Sequence, residues 1–203
     1  NPRIQVEHTV TEAVTGLDLV ALQLAVAGGA SLTDVLPEVI ESRGMAVQAR
    51  ICAERYEPDG TPHLCSGRIT GWQLPHGPGI RVDTAAGPGY EPNPAFDSLV
   101  AKLVLHTPLE DLGALVRKAR GALGEIHIDG LESNAAVLGR ILGHASVVSG
   151  PVSTAMLADH PELLAPSPAP VVDPLAVLRA APVGTVPAKE TEVAQGHLGL
   201  RSP

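Results

Sequence analysis

Residues 4–8, Ile-Gln-Val-Glu-His, alternate apolar and polar side chains, the period of a strand with one buried face. That reading places Arg3, Gln5 and Glu7 together on the polar face. A capped helical turn is expected over 11–16. A mostly buried helix is expected over 17–27, where the run Leu-Asp-Leu-Val-Ala-Leu-Gln-Leu-Ala-Val-Ala stops at Gly28-Gly29. From residue 44 the pattern turns to β, with strands predicted over 45–54, 68–74, 79–83 and 99–106. Short loops rich in Pro and Gly separate these strands and favour antiparallel pairing. A helix follows over 109–123, apolar at Leu112, Leu115, Val116, Ala119 and Leu123, with Arg117, Lys118 and Arg120 toward water. A short strand at 126–128, a helix over 131–142 and a last helix near 153–159 complete the pattern.

Beyond residue 160 periodicity fades, and eight of the nineteen prolines fall there among Ala, Val and Ser, the composition of a linker or disordered tail. The 203 residues, 44% apolar and 18% charged, suit a globular chain with a sizeable core. No apolar run approaches the roughly 20 residues of a membrane span, so no membrane role is expected. A net charge of -8 and only four aromatic residues argue against nucleic acid as a partner. Cys52 and Cys65 do not have the spacing of a zinc knuckle; Cys52 reads as a buried thiol, and a reducing cytoplasm is the simpler setting. The opening Asn1-Pro2-Arg3 reads as the middle of a longer product.

Candidate chemistry concentrates at the start. A half-buried strand face carrying Arg, Gln and Glu needs a reason for their desolvation, and a small anion is one. The Arg3 guanidinium offers a planar donor fork to a carboxylate-like oxygen pair, and Glu7, four residues on, could take a proton from the bound species. A solvated strand face with an Arg3/Glu7 ion pair is the competing reading. Arg81 divides in the same way between a ligand-binding cation and an ion-pair partner of Asp83. Arg50 and Glu54 read as a structural ion pair on one strand face, and His8 as a hydrogen-bonded packing residue. Asp97 and Lys102 receive no chemistry.

The run Asn1-Pro2-Arg3-Ile4-Gln5-Val6-Glu7-His8-Thr9-Val10-Thr11-Glu12 resembles the Asn-Pro-Arg-x-Gln-Val-Glu-His-x-Val-Thr-Glu motif of biotin carboxylases. These are the ATP-grasp component of biotin-dependent carboxylases such as acetyl- and propionyl-CoA carboxylases. The resemblance continues through Gly44-Met45-Ala46-Val47-Gln48-Ala49-Arg50-Ile51-Cys52-Ala53-Glu54, Ser66-Gly67-Arg68-Ile69, Gly79-Ile80-Arg81-Val82-Asp83 and Phe96-Asp97-Ser98-Leu99-Val100-Ala101-Lys102-Leu103, and reaches about residue 160. It implies an α+β fold: the C-terminal edge of an ATP-grasp lobe over 1–30, then the biotin carboxylase C-terminal domain over 31–160, an antiparallel sheet flanked by helices. Residues 161–203 remain the Pro/Ala-rich tail.

The implied reaction is ATP-dependent carboxylation of carrier-bound biotin by bicarbonate, with Mg2+ or Mn2+. Asn1 is implied to position the metal and the ATP phosphates, the metal's carboxylate ligands being absent from this chain. Arg3, Gln5 and Val6 are implied to hold bicarbonate, with Glu7 as general base. Arg81 is implied to stabilise the enolate-like biotin anion or the carboxyl group in transfer. Fixed cations suit such chemistry, because charge develops there in a dry site. The implied partners are a biotin carboxyl carrier domain and a carboxyltransferase component. A homodimer is also implied, for which Arg117, Arg120 and Arg140 are candidate contacts. This chain departs from the family at Arg55-Tyr56-Glu57-Pro58 and in the 89–95 loop, and it has no Gly-rich phosphate loop, so activity is not expected from it alone. The alternative is a catalytically silent fragment serving as a structural or dimerisation module. A carbamoyl-phosphate synthase fits less well, given the Arg-x-Gln-Val-Glu-His order and the Gly-Ile-Arg-Val-Asp strand.

Overall fold

The first described residues are not a strand. A computed structural model describes residues 3–57, 59–93, 95–150 and 152–165, and in it Val6–His8 form a 3-10 turn leading into α1 (Thr9–Thr15). The Gln5 amide donates to Nδ1 of His8 at 3.1 Å, so the local hydrogen bond expected of this histidine fixes a turn where alternation had suggested extension. In a turn the period-2 face vanishes, and Glu7 reaches Arg50 at 3.1 Å. Gly16 ends α1 in the left-handed region, at φ 72°.

Helix α2 (Leu19–Ala27) is capped by Asp18, which accepts from the Ala21 amide at 2.8 Å. It was expected to be mostly buried, yet none of its residues is, and Leu24 stands 69% exposed. Its apolar side chains recur on every side and make no stripe, so one neighbour cannot cover them. A short α3 (Leu32–Val35) follows, closed by a Ser31/Asp34 capping box.

Next come β1 (Met45–Cys52), β2 (Glu54–Tyr56), β3 (Pro62–Leu64), β4 (Gly71–Gln73), β5 (Ile80–Thr84), β6 (Leu99–Thr107), α4 (Leu112–Gly124) and β7 (His127–Asp129). Then follow α5 (Ala135–Gly143), α6 (Ala145–Ser149), α7 (Met156–Asp159) and a 3-10 turn, Pro161–Leu163. The main sheet is antiparallel in the order β1-β6-β5; β2-β3 and β4-β7 form two smaller antiparallel pairs. The α+β architecture of an antiparallel sheet with helices against it is thus the one expected.

Alternation sorts the main sheet into two faces. Ala49 and Ile51 of β1 and Ala101, Leu103 and Leu105 of β6 pack with Leu115, Ala119 and Leu123 of α4. Ile51, Leu103 and Leu105 are fully buried, and each contributes about 1.5–3 kcal/mol of transfer free energy. The intervening residues Gln48, Arg50, Lys102 and Val104 face the other way, toward α1, where the buried Thr9 hydroxyl donates to Gln48 Oε1.

The strand predicted over 45–54 breaks at Ala53, after a register shift at Ile51/Cys52. Buried Asn134, the N-cap of α5, holds that break: its Oδ1 accepts from the Cys52 amide at 2.9 Å and its Nδ2 donates to the Arg50 carbonyl at 3.2 Å. The break separates Arg50 from Glu54, so their expected ion pair is absent among the described residues. Glu54 instead accepts from Ser98 Oγ at 2.5 Å. Lys118 does not simply face water, because its ammonium donates to the carbonyls of Pro78 at 2.5 Å and His106 at 3.1 Å. Arg140 is also committed within the chain, donating to the carbonyls of Leu163 and Ala165. The chain therefore stays packed to residue 165, while the rest of the expected tail lies outside the described residues.

Candidate active site

The register places a row of charges on the α1-facing side of the sheet. Lys102 on the central strand lies opposite Asp83 on one side and Arg50 on the other, and Arg81 lies opposite Val104. Arg81 and Asp83, two residues apart on β5, share that face and form a bidentate pair, Nε to Oδ1 at 2.8 Å and Nη2 to Oδ2 at 2.9 Å. Lys102 holds the same carboxylate from the neighbouring strand at 3.1 Å. Glu12, in the first turn of α1, accepts from Arg81 Nη1 at 3.2 Å with one oxygen and from the Leu19 amide at 3.1 Å with the other. One carboxylate thereby ties the α1–α2 turn to the guanidinium on the sheet. These contacts engage three of the five N–H groups of a guanidinium.

The entry to β5 is fixed just as tightly. Gly79 has φ +65°, and a Cβ there would collide with the His106 carbonyl and the Lys118 ammonium. The Gly79 carbonyl accepts from the His106 amide at 2.9 Å, which locks β5 against β6 two residues before Arg81.

Between α1 and this face lies a cleft of about 830 Å³, lined among others by Gln5, Val6, Glu12, Arg81 and Lys102. The lining carries the cations Arg81 and Lys102 and the carboxylates Glu12 and Asp18, while Asp83 pairs with both cations without itself being among the lining residues. Partial burial pushes the Asp83 carboxyl up, but the hydrogen bonds from Arg81 and Lys102 outweigh it and hold the group below the usual carboxylate range. The hydrogen bond to Asp83 raises Arg81 further, against the opposing effect of partial burial. Such a cleft suits a small planar anion that can take the remaining guanidinium donors or displace a carboxylate from them. Glu12 and Asp83 do not offer a divalent-metal site, because both are bonded to cationic side chains.

Of the residues singled out from sequence, Gln5, Val6 and Arg81 meet in this cleft. Exposed Glu7 is paired with Arg50, and neither it nor exposed Arg3 is among the cleft-lining residues. Asn1 lies outside the described residues. Sequence reasoning missed Glu12 and Lys102. Glu12 closes the N-terminal motif and could have been taken from it. Lys102 needed the strand order, since only pairing of β5 with β6 sets it against Asp83.

Residues 48–159 match the Biotin carboxylase C-terminal domain family, and residues 1–35 match the ATP binding domain of the carbamoyl-phosphate synthase L chain. The chain belongs to the biotin carboxylase family. It is 41% identical over 160 residues to Biotin carboxylase 1 of Bacillus subtilis (strain 168), covering 79% of this chain and 34% of that protein. It is 36% identical over 176 residues to the mitochondrial pyruvate carboxylase of Homo sapiens, covering 83% of this chain and 14% of that one. Among solved structures, a single-chain, multi-domain long-chain acyl-CoA carboxylase matches with a TM-score of 0.76 at 40% identity, over 83% of this chain and 19% of that one. The biotin carboxylase domain of Hydrogenobacter thermophilus 2-oxoglutarate carboxylase, solved with MgADP, ADP and bicarbonate, matches with a TM-score of 0.74 at 35% identity, over 83% and 36%. The chain thus spans about a third of the length of the stand-alone biotin carboxylases it matches.

Proposed function

We propose that this chain is the C-terminal part of a biotin carboxylase that carboxylates carrier-bound biotin with bicarbonate, within an acyl-CoA carboxylase of the cytoplasm. The observation that carries this reading is the cleft in which Gln5 and Val6 stand beside an Arg81 held by Asp83 and Glu12. ATP, held with Mg2+ or Mn2+ by an upstream ATP-grasp part that includes Asn1, supplies the activation of bicarbonate. Gln5 and Val6 orient the anion in the cleft; Arg3 and Glu7, which stand outside the cleft lining in this chain, join them as cation and general base when the ATP-grasp part is in place. Arg81 holds the charge that develops on biotin, where a preorganised guanidinium needs no rearrangement. The biotin carboxyl carrier domain delivers the substrate, a carboxyltransferase component consumes the product, and the parent is a homodimer. The likeness to the long-chain acyl-CoA carboxylase supports an acyl-CoA as final acceptor.

The test joins the chain to a complete ATP-grasp lobe and measures bicarbonate-dependent ATP cleavage and carboxylation of free biotin. Arg81→Ala should abolish carboxylation of biotin while sparing ATP cleavage more than Glu7→Gln does. Equal loss of both activities in both variants would refute this division of roles, and silence of the joined protein in both assays would remove the enzymatic reading altogether.

A further inference from the structure

A cluster outside the cleft has no part in this chemistry. His144 is the N-cap of α6, His160 follows α7, and Glu162 lies in the turn Pro161–Leu163; one potential ligand atom from each falls within 4.8 Å of the other two. The two imidazole rings are 4.3 Å apart between centroids and tilted by 50°, and His160 Nδ1 is 3.0 Å from Glu162 Oε1. Both histidines are half-buried, whereas Glu162 is exposed.

The backbone that carries the cluster is held independently of it. Pro161 restricts the chain between His160 and Glu162. Leu163 is buried, and Arg140 of α5 donates to the carbonyls of Leu163 at 3.0 Å and Ala165 at 2.7 Å. His144 gives little up by turning to a cation, because the Ser146 amide that it accepts at Nδ1 is 3.4 Å away, near the limit of a hydrogen bond. Tetrahedral ligands about 2.0–2.1 Å from a zinc ion stand about 3.4 Å from one another. Closing that gap takes a turn of the His144 ring and of the exposed Glu162 side chain, which exchanges its contact with His160 for the ion.

We propose that His144, His160 and Glu162 bind a divalent transition-metal ion. Two imidazoles and one carboxylate suit zinc, with solvent completing the shell, and they disfavour magnesium and calcium, which prefer oxygen alone. The bound ion takes the place of the direct His160–Glu162 contact and pins the 160–165 strap to the start of α6.

The experiment titrates the 203-residue chain with Zn2+ by calorimetry, and with Co2+ as a spectroscopic reporter of nitrogen and oxygen ligation. One equivalent should bind. His160→Ala and His144→Asn should each weaken binding about tenfold or more. The asparagine retains an acceptor for the Ser146 amide, so loss of the cap is not confused with loss of the ligand. Replacing the exposed His76 or His127 by Ala should change affinity less than about twofold, and Zn2+ should raise the thermal midpoint of the unmodified chain but not of His160→Ala. Unaltered zinc affinity in both cluster variants, or a stoichiometry that follows the exposed histidines, would overturn the proposal.

Discussion

The main sheet and the N-terminal helices are both apolar in sequence, yet they settle differently. In β6, Ala101, Leu103 and Leu105 are buried against α4, and the residues between them carry the charged face. In α2, Val20, Leu24 and Val26 lie in solvent. Alternation in a strand specifies which side seeks a core, and α4 supplies that core a few residues later in the same chain. An all-round apolar helix specifies only that it needs surrounding, not by what.

The largest test of this contrast is Leu103→Ala. Leu103 is fully buried between β1, β5 and α4, so truncation should destabilise the chain by about 2–5 kcal/mol in denaturant unfolding. A loss below about 1 kcal/mol would mean that the sheet face is not the principal core. Asn134→Ala should follow. It leaves the Cys52 amide and the Arg50 carbonyl without their buried side-chain partner, at a cost of about 1–3 kcal/mol, and should speed amide exchange at Cys52. Exchange at Cys52 unchanged from the parent chain would show that Asn134 does not hold the break in β1.

What the sequence made legible follows the same division. The strands at 79–83 and 99–106 and the helix at 109–123 lie within a few residues of β5, β6 and α4, because their periods match partners nearby in the chain. The 4–8 segment failed because five alternating residues cannot outweigh a histidine that bonds the backbone three residues away. In the cleft, Arg81 was visible from its motif and its pairing with Asp83 from their spacing. Lys102 was not, since its place depends on strand order, and Glu12, although it stands in the N-terminal motif, shows its contact with Arg81 only once α1 docks on the sheet.

That charged network should show itself at acid pH. The Asp83 carboxyl is held below its usual range in the folded chain, so its pairing stabilises the fold above the unfolded value of about 3.9 and is lost as pH falls through the lower folded value. Asp83→Asn should therefore start less stable at neutral pH and lose less stability than the parent below about pH 4. Parallel pH profiles of unfolding for the two proteins would show that Arg81 and Lys102 do not discriminate the ionised carboxylate.

The smallest expected effect is the sharpest test of the opening contrast. Leu24 stands 69% exposed on α2, so Leu24→Gln in the 203-residue chain should change stability by less than about 0.5 kcal/mol. In the chain joined to its ATP-grasp lobe, the proposed function gives α2 a neighbour, and the same substitution should then destabilise by about 1 kcal/mol or more, because a polar amide would enter an apolar contact. Equal small effects in both settings would leave α2 a solvent-facing helix in the full enzyme as well, and its apolar composition would then need a different partner. A large effect in the short chain would show that Leu24 is not solvent-facing there. The difference between the two settings isolates what the joined lobe contributes, since the helix, its Asp18 cap and the substitution are the same in both.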